Sequence, residues 1–511
     1  MDDRPRLSRG VVSSLALAEQ TGVDVSFRAM AALPEKVVQF GTGAFLRGFA
    51  AFFVDDANRR GEFNGSIVAV GSTTGSRDAI VNEQGGLFTL AIQGIENRIS
   101  RQQYRIVASL SRALSARDDW NSVLALAADP AIELVISNTT EVGIVLDSTD
   151  RYDASPPRSY PGKLTRFLAE RAAAFDYDPR RGIVVLPCEL IDDNGTRLRG
   201  IVGELARLWQ LGTRFDEWLD CAVIFANTLV DRIVPGAPPP EDTARIEAQF
   251  GYRDGLLTAC ETYALFAIEG DAALRMRLGF AGSDSRIVVA PDIRPYRLRK
   301  VRVLNGGHTI SVPMALLAGL RTVGEAVADE RVGQFLRRAI FEEIVPGLDV
   351  PGADAFARDV MDRFANPYIR HALVDITLYQ TTKMRVRVVP SVVAFHERTG
   401  RTPTMLALGF AAFLAFMRGD IQTERLAAGL RVPDDPAGEA IRAAWQTVDV
   451  SSDCAVAGLS ASICANTSLW GNDLMTVDGF PQAVAGALVH IVRDGIRATL
   501  DLYLSEGARV E

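Results

Sequence analysis

A strand that runs straight into a glycine-rich turn and then an apolar helix leaves a chain few folds to choose from. Here Lys36-Val37-Val38-Gln39-Phe40 leads into Gly41-Thr42-Gly43-Ala44-Phe45-Leu46-Arg47-Gly48. Glycines at such a turn let the backbone approach a pyrophosphate, and the following helix start offers free N–H groups and the positive end of its dipole. Gly41, Thr42, Gly43, Ala44, Phe45 and Arg47 are therefore candidate cofactor-binding residues. Leu46 stands where GxGxxG has its third glycine, so a bare tight βα turn is the competing reading. Arg47 either reaches a phosphate or covers the sheet edge.

The run at 36–40 is one of several. Ser66–Val70, Glu133–Ser137, Gly182–Leu186 and Ala222–Ala226 have strand length and end in turn or polar residues, with helical stretches between them. That alternation predicts βαβ units, and each strand's carboxyl end is a candidate wall of the site. After about Arg299 the pattern becomes helical, as in Met314–Leu320, Val332–Ile344, Ala353–Phe364 and Phe480–Leu500. The expected architecture is α/β: a Rossmann-like, mostly parallel-sheet domain over 25–297, then a mainly α-helical domain over 298–511, with the active pocket between them.

Composition narrows the function class. With 48% apolar residues and 23% charged, the 511-residue chain is globular in type, and its formal net charge of −8 disfavours a nucleic-acid partner. The run Met405–Met417 is too short to span a bilayer and reads as a buried core helix. No membrane partner is expected, and the apolar patch near Val11 ends at Glu19 before a secretory core forms, so a cytoplasmic location is expected. Five cysteines in no CxxC pair predict reduced, mostly buried thiols. The four histidines have no zinc-ligand spacing, and no metal is expected. Oligomeric state is left at monomer or small homo-oligomer.

The second strand would end in an acid if the adenosine ribose were held in the usual NAD manner. It runs instead into Gly71-Ser72-Thr73-Thr74, with Arg77 beyond. Hydroxyls of Ser72 and Thr73 serve either ribose, and Arg77 reads as a solvated charge. The strand ending at Ser137 is followed by Asn138-Thr139-Thr140-Glu141-Val142-Gly143. Thr139, Thr140 and Glu141 suit contacts to a nicotinamide or its ribose, or equally a capped helix start.

In Lys300-Val301-Arg302-Val303-Leu304-Asn305-Gly306-Gly307-His308, three chemically useful groups lie within nine residues. On a helix, Lys300, Asn305 and His308 fall within an arc of roughly 140° at about 100° per residue. A desolvated lysine is a competent acid or base, an amide stabilises charge on oxygen, and an imidazole anchors a hydroxyl. A surface lysine, a capping asparagine and a core histidine are the bland alternative. Gly306-Gly307 tilts the balance toward close approach of a ligand.

These segments resemble the long-chain mannitol dehydrogenase family of polyol and uronate oxidoreductases. Its Lys-x-x-x-x-Asn-x-x-His signature is Lys300, Asn305 and His308 here. The likeness extends through the GxGxFxRG loop, Thr140-Glu141-x-Gly143, Asn194-Gly195, Asn227–Ile233, Asn366-Pro367 and Trp470-Gly471-x-Asp473-Leu474. Tyr160–Leu164, Pro187–Ile191, Val303–Thr309 and Thr382-Lys383-Met384 are similar to the family's uronate reductases. Two departures stand out: Leu190 replaces the asparagine that mannitol-oxidising members carry two residues after the cysteine, and the aspartate after the second strand is missing.

The resemblance implies a metal-independent, NAD-dependent secondary-alcohol dehydrogenase acting on a small sugar acid, with Lys300 as general acid and base. It makes Asn305 and Asn194 the oxyanion amides, His308 the anchor of a neighbouring hydroxyl, and Asp231 a cofactor-side residue. Lys383, Lys163 and Arg232 are the candidates for holding the substrate. Fructuronate reduction or mannitol-type polyol 2-dehydrogenation within the same family is the nearest alternative, and a nucleotide-binding regulator without turnover the more distant one.

Overall fold

The computed structural model describes residues 4–15, 22–26, 32–72, 77–139, 143–419 and 435–506. They form two compact units, the first comprising residues up to 93 together with 100–293, the second 94–99 and everything from 294 onward.

In the first unit the main sheet has six strands: β1 (Glu35–Phe40), β2 (Ser66–Gly71), β3 (Leu110–Ser115), β4 (Leu134–Ser137), β5 (Val184–Pro187) and β6 (Ile224–Phe225). Their order is β3-β2-β1-β4-β5-β6, and every neighbouring pair is parallel. Strand order reverses between β1 and β4, which sets a crevice beyond their carboxyl ends. Alternate residues explain the burial. Val37, Ile67, Leu134 and Val184 enter the core on one face, while Val38, Val68, Val135 and Val185 enter the other. A sheet covered on both faces reads as continuous apolar runs, which is why these strands are visible in the sequence.

Other strands are not. Val23–Asp24, Ile99–Val107, Phe88–Glu96 and Thr258–Cys260 make a four-stranded sheet, and Thr228–Asp231 pairs antiparallel with Leu265–Glu269, itself parallel to Ile287–Ala290. In Ile99–Val107 the first five residues are exposed, so no alternation betrays the strand.

From Arg294 onward the described residues are helical or loop apart from one isolated bridge, Thr322 to Ala372. Helix Thr404–Arg418 buries every side chain from Met405 to Met417. Phe480–Glu506 is interrupted at Gly495, whose φ is 81°. Among the described residues of this unit, three wider, π-helical turns occur, at Lys300–Asn305, Ala339–Ile344 and Met384–Val388. Such turns recur at functional sites because they redirect side chains within a helix. Among the described residues no helix is long and apolar enough to cross a membrane.

Candidate active site

In the first unit the glycine loop stands at the carboxyl end of β1. Gly41 has φ 127°, and a Cβ there would lie 2.9 Å from Leu46 Cδ1 and 3.4 Å from the Asn138 carbonyl, so only glycine fits. A Cβ on Gly43 would meet nothing, which leaves its backbone open to a ligand. The third-glycine role falls to Gly48: a Cβ there would lie 2.9 Å from Val234 Cγ1, and its absence lets the helix pack closely. Ala44 and Phe45 occupy the first helical positions after the loop, and Phe45 stacks on Phe49 at 5.1 Å.

Arg47 corrects its phosphate-reaching reading. It is buried, with Nε donating to Thr258 Oγ1 at 3.1 Å and Nη1 to the Thr42 carbonyl at 2.7 Å. Burial pushes its guanidinium down to about 10, against the pull of Asp254. Arg47 thus braces the loop from behind.

The acid missing from the end of β2 arrives from elsewhere. A Cβ on Gly71 would collide with the carboxylate oxygens of Asp78, which also bonds the Thr42 side chain. Burial, then the nearby Asp119 and Asp118, raises the Asp78 carboxyl above its ordinary range. Sequence reasoning looked for this acid on the strand and missed it on the next helix; the bare Gly71 was the available signal. Ser72 is exposed, and Thr73 lies outside the described residues.

At the end of β4, Glu189 organises the loop. It accepts from Ser137 Oγ at 3.1 Å and from Thr139 N and Oγ1 at 2.8 and 3.0 Å, while Asn138 Nδ2 donates to the Cys188 carbonyl at 2.7 Å. Glu189 is buried and its carboxyl is raised by desolvation. Thr140 and Glu141 lie outside the described residues.

Three expected site residues are committed to structure instead. Asn194 is fully buried at the start of helix Asn194–Leu208, where its Nδ2 donates to the carbonyls of Pro187, Glu189 and Thr228 and its Oδ1 accepts from Gly195 N and Thr228 N. No donor remains for an oxyanion. Arg232 is buried over the Phe52 ring, donating to the Glu261 and Gly48 carbonyls, so its expected substrate role gives way to a scaffolding one. Lys163 Nζ donates to the Arg158 carbonyl at 2.7 Å from a 7%-exposed position, too enclosed to meet a substrate. Asp231 is buried at the end of strand Thr228–Asp231.

In the second unit, Lys300 to Asn305 forms a π-helical turn and α-helix resumes at Gly306. The uniform 100° spacing assumed for an α-helix does not hold. Bonding from i to i+5 brings residues five apart nearer to alignment, so Lys300 and Asn305 lie closer to one face than the α-helical arc implied. Gly306 and Gly307 pack against protein: a Cβ at Gly306 would lie 3.5 Å from the Arg387 carbonyl, and one at Gly307 3.2 Å from Ile340 Cδ1. Their ligand-approach reading is corrected to helix packing.

The Asn305 carboxamide makes no hydrogen bond among the described residues, and neither does the His308 ring. The imidazole contacts Phe364 at 4.1 Å and His371 at 5.4 Å between centroids. Burial, then the charges of His371, Arg363, Arg387 and Lys383, holds it well below its ordinary value. His308 is therefore neutral near pH 7, able both to donate and to accept. Lys383 Nζ donates to the Ile376 carbonyl at 2.8 Å. Among the described residues no cluster of three histidine, cysteine or acidic side chains has the arrangement of a metal site.

A doubly wound sheet with a glycine loop at its switch point, joined to a helical unit carrying a lysine, an uncommitted amide and a neutral imidazole, defines a nicotinamide-type secondary-alcohol dehydrogenase. Residues 35–280 match the mannitol dehydrogenase Rossmann domain and residues 292–492 the mannitol dehydrogenase C-terminal domain. The chain belongs to the mannitol dehydrogenase family and is an oxidoreductase of sugar acids or polyols. Altronate oxidoreductase of Bacillus subtilis (strain 168) is 38% identical over 477 residues, 93% of this chain and 97% of that protein. The protein of that name from Escherichia coli O7:K1 is 39% identical over 468 residues, 91% and 96% of the two chains. Two solved structures share the fold at 22% identity. The Pseudomonas fluorescens mannitol 2-dehydrogenase ternary complex with NAD and D-mannitol superposes at TM-score 0.68, covering 98% of this chain and 99% of that one. A D-sorbitol dehydrogenase in substrate-free form superposes at 0.77, covering 97% and 100%.

Proposed function

We propose that the protein interconverts D-tagaturonate and D-altronate with NAD as its cofactor. The observation that carries this reading is its 38% identity to altronate oxidoreductase over 93% of the chain. The uncommitted Asn305 amide and His308 ring support it.

The loop geometry fits a dinucleotide. Gly41 and Gly43 leave room for a pyrophosphate, which Thr42 and Ala44 would flank, and Asp78 stands at the end of β2 where ribose hydroxyls would be held. An acid there repels a 2′-phosphate, which favours NAD over NADP. Bound NADH supplies the hydride that a ketone carbon takes up. As the carbonyl oxygen gains charge, Lys300 as ammonium gives it a proton, and the Asn305 amide stabilises the charge as it develops. The neutral His308 ring orients a neighbouring hydroxyl without adding charge. In oxidation the lysine amine takes the proton back.

Purified protein should consume NADH fastest, by kcat/KM, with D-tagaturonate in a panel that includes D-fructuronate and D-fructose. A higher kcat/KM for D-fructuronate or D-fructose would overturn the substrate assignment.

A further inference from the structure

We infer that Arg387 is the residue that receives the carboxylate of the sugar-acid substrate, an assignment that rests on the sugar-acid reading of the site. Arg387 lies on the π-helical turn Met384–Val388, which packs against the turn carrying Lys300 and Asn305. Its Nη1 donates to Thr309 Oγ1 at 3.3 Å, and Thr309 in turn donates to the Asn305 carbonyl at 2.7 Å. The guanidinium is thereby tied to the residue after His308 and to the turn that holds the proton-handling groups.

Three of the neighbouring cations have an acid near them. Lys383 feels Asp435, His371 feels Asp375, and Arg363 faces Asp359. Arg387 is half-buried and has no carboxylate within ion-pair distance among the described residues. Burial alone lowers its guanidinium. A partly desolvated cation without a counter-ion is costly until an anion arrives, and a guanidinium with most of its five donors uncommitted is shaped to take a carboxylate through two of them. A hydroxymethyl group would leave that charge unpaired, so the same arrangement selects acids over polyols.

Arg302, on the turn that carries Lys300, is also half-buried and has no carboxylate within ion-pair distance among the described residues. It bonds Ser391 Oγ at 3.2 Å and stands two residues past Lys300 in the sequence. It therefore serves as the comparison.

The test is steady-state reduction by the full chain at saturating NADH, with D-tagaturonate and with D-tagatose, the same ketose bearing a hydroxymethyl in place of the carboxylate. In Arg387→Gln the KM for D-tagaturonate should rise roughly 10- to 100-fold, the scale of a charged hydrogen-bonded pair. Its kcat should stay within a few-fold, and the preference in kcat/KM for D-tagaturonate over D-tagatose should shrink by at least the same factor. Arg387→Lys should show a smaller rise, and it carries the test if the glutamine variant does not fold. Arg302→Gln should leave the KM alone. Unchanged KM in both Arg387 variants, with wild-type preference for D-tagaturonate intact, would overturn the role of Arg387 only. A wild-type enzyme that takes D-tagatose as readily as D-tagaturonate would overturn the sugar-acid reading and this inference with it.

Discussion

The imidazoles of His308 and His371 meet edge to face, 5.4 Å apart between centroids, and the charge of His371, with those of Arg363, Arg387 and Lys383, opposes protonation of His308. Burial is the first cause at both rings, so each carries less charge than an ordinary histidine at the same pH. With only four histidines in the chain, their ring resonances can be followed individually by NMR. His308 should fail to titrate between pH 7 and 6, and His371→Ala should move its titration upward by removing a neighbouring charge. The lowered values also mean that the unfolded chain binds more protons, so stability should fall as pH drops below about 6.5. A His308 resonance titrating at an ordinary value would contradict the enclosed, cation-rich site.

Asp78 should set the nucleotide preference. Fluorescence titration of the wild-type chain should give tighter binding of NADH than of NADPH. Asp78→Asn should narrow that ratio about tenfold or more, equivalent to about 1.4 kcal/mol. An unchanged ratio, or an NADPH preference that disappears on Arg77→Ala, would assign the ribose contact to Arg77.

The two amides should separate cleanly. Asn194→Ala leaves several buried backbone groups unpaired, so it should cost about 2 kcal/mol or more of stability and lower Tm. Asn305→Ala breaks no hydrogen bond in the free enzyme. It should therefore leave Tm near wild type and reduce kcat by about 10². Thermal melts beside kinetics check both; a catalytic loss without destabilisation in Asn194→Ala would restore it as an oxyanion donor.

Gly41→Ala should abolish nucleotide binding through the loop itself. The residue's φ of 127° is strained for any side chain, and Leu46 blocks the Cβ. Titration with NADH should show the loss, and binding at wild-type strength would mean that the loop adapts.

What could be read from the sequence tracks how locally each feature is encoded. β1, β2, β4 and β5 are buried on both faces and announce themselves as apolar runs, and the Met405–Met417 helix does the same. The partly exposed strand Ile99–Val107 and the short Thr258–Cys260 carry no comparable pattern. At the site, residue types and spacing picked out Lys300, Asn305 and His308. They could not show whether a polar side chain is free or spent. Asn194, Arg232 and Lys163 look as functional as Asn305 until their partners, many of them backbone carbonyls distant in sequence, are known. Asp78 fails in the opposite sense: its importance comes from meeting Gly71 at the end of β2, a relation that no spacing rule contains.

The central claim is that Lys300 moves the proton, and Lys300→Met tests it most directly because it keeps the chain length and removes the charge. Quenching a developing alkoxide by a positioned acid is typically worth about 10² to 10⁴ in rate. The variant should lose at least that much kcat in D-tagaturonate reduction while binding NADH nearly as wild type by fluorescence titration. In the wild-type enzyme, reduction should fall and oxidation rise with pH through one shared ionisation, and the variant should lose that dependence. A Lys300→Met enzyme with wild-type turnover and the same pH profile would contradict the account and make His308 the next proton source to examine.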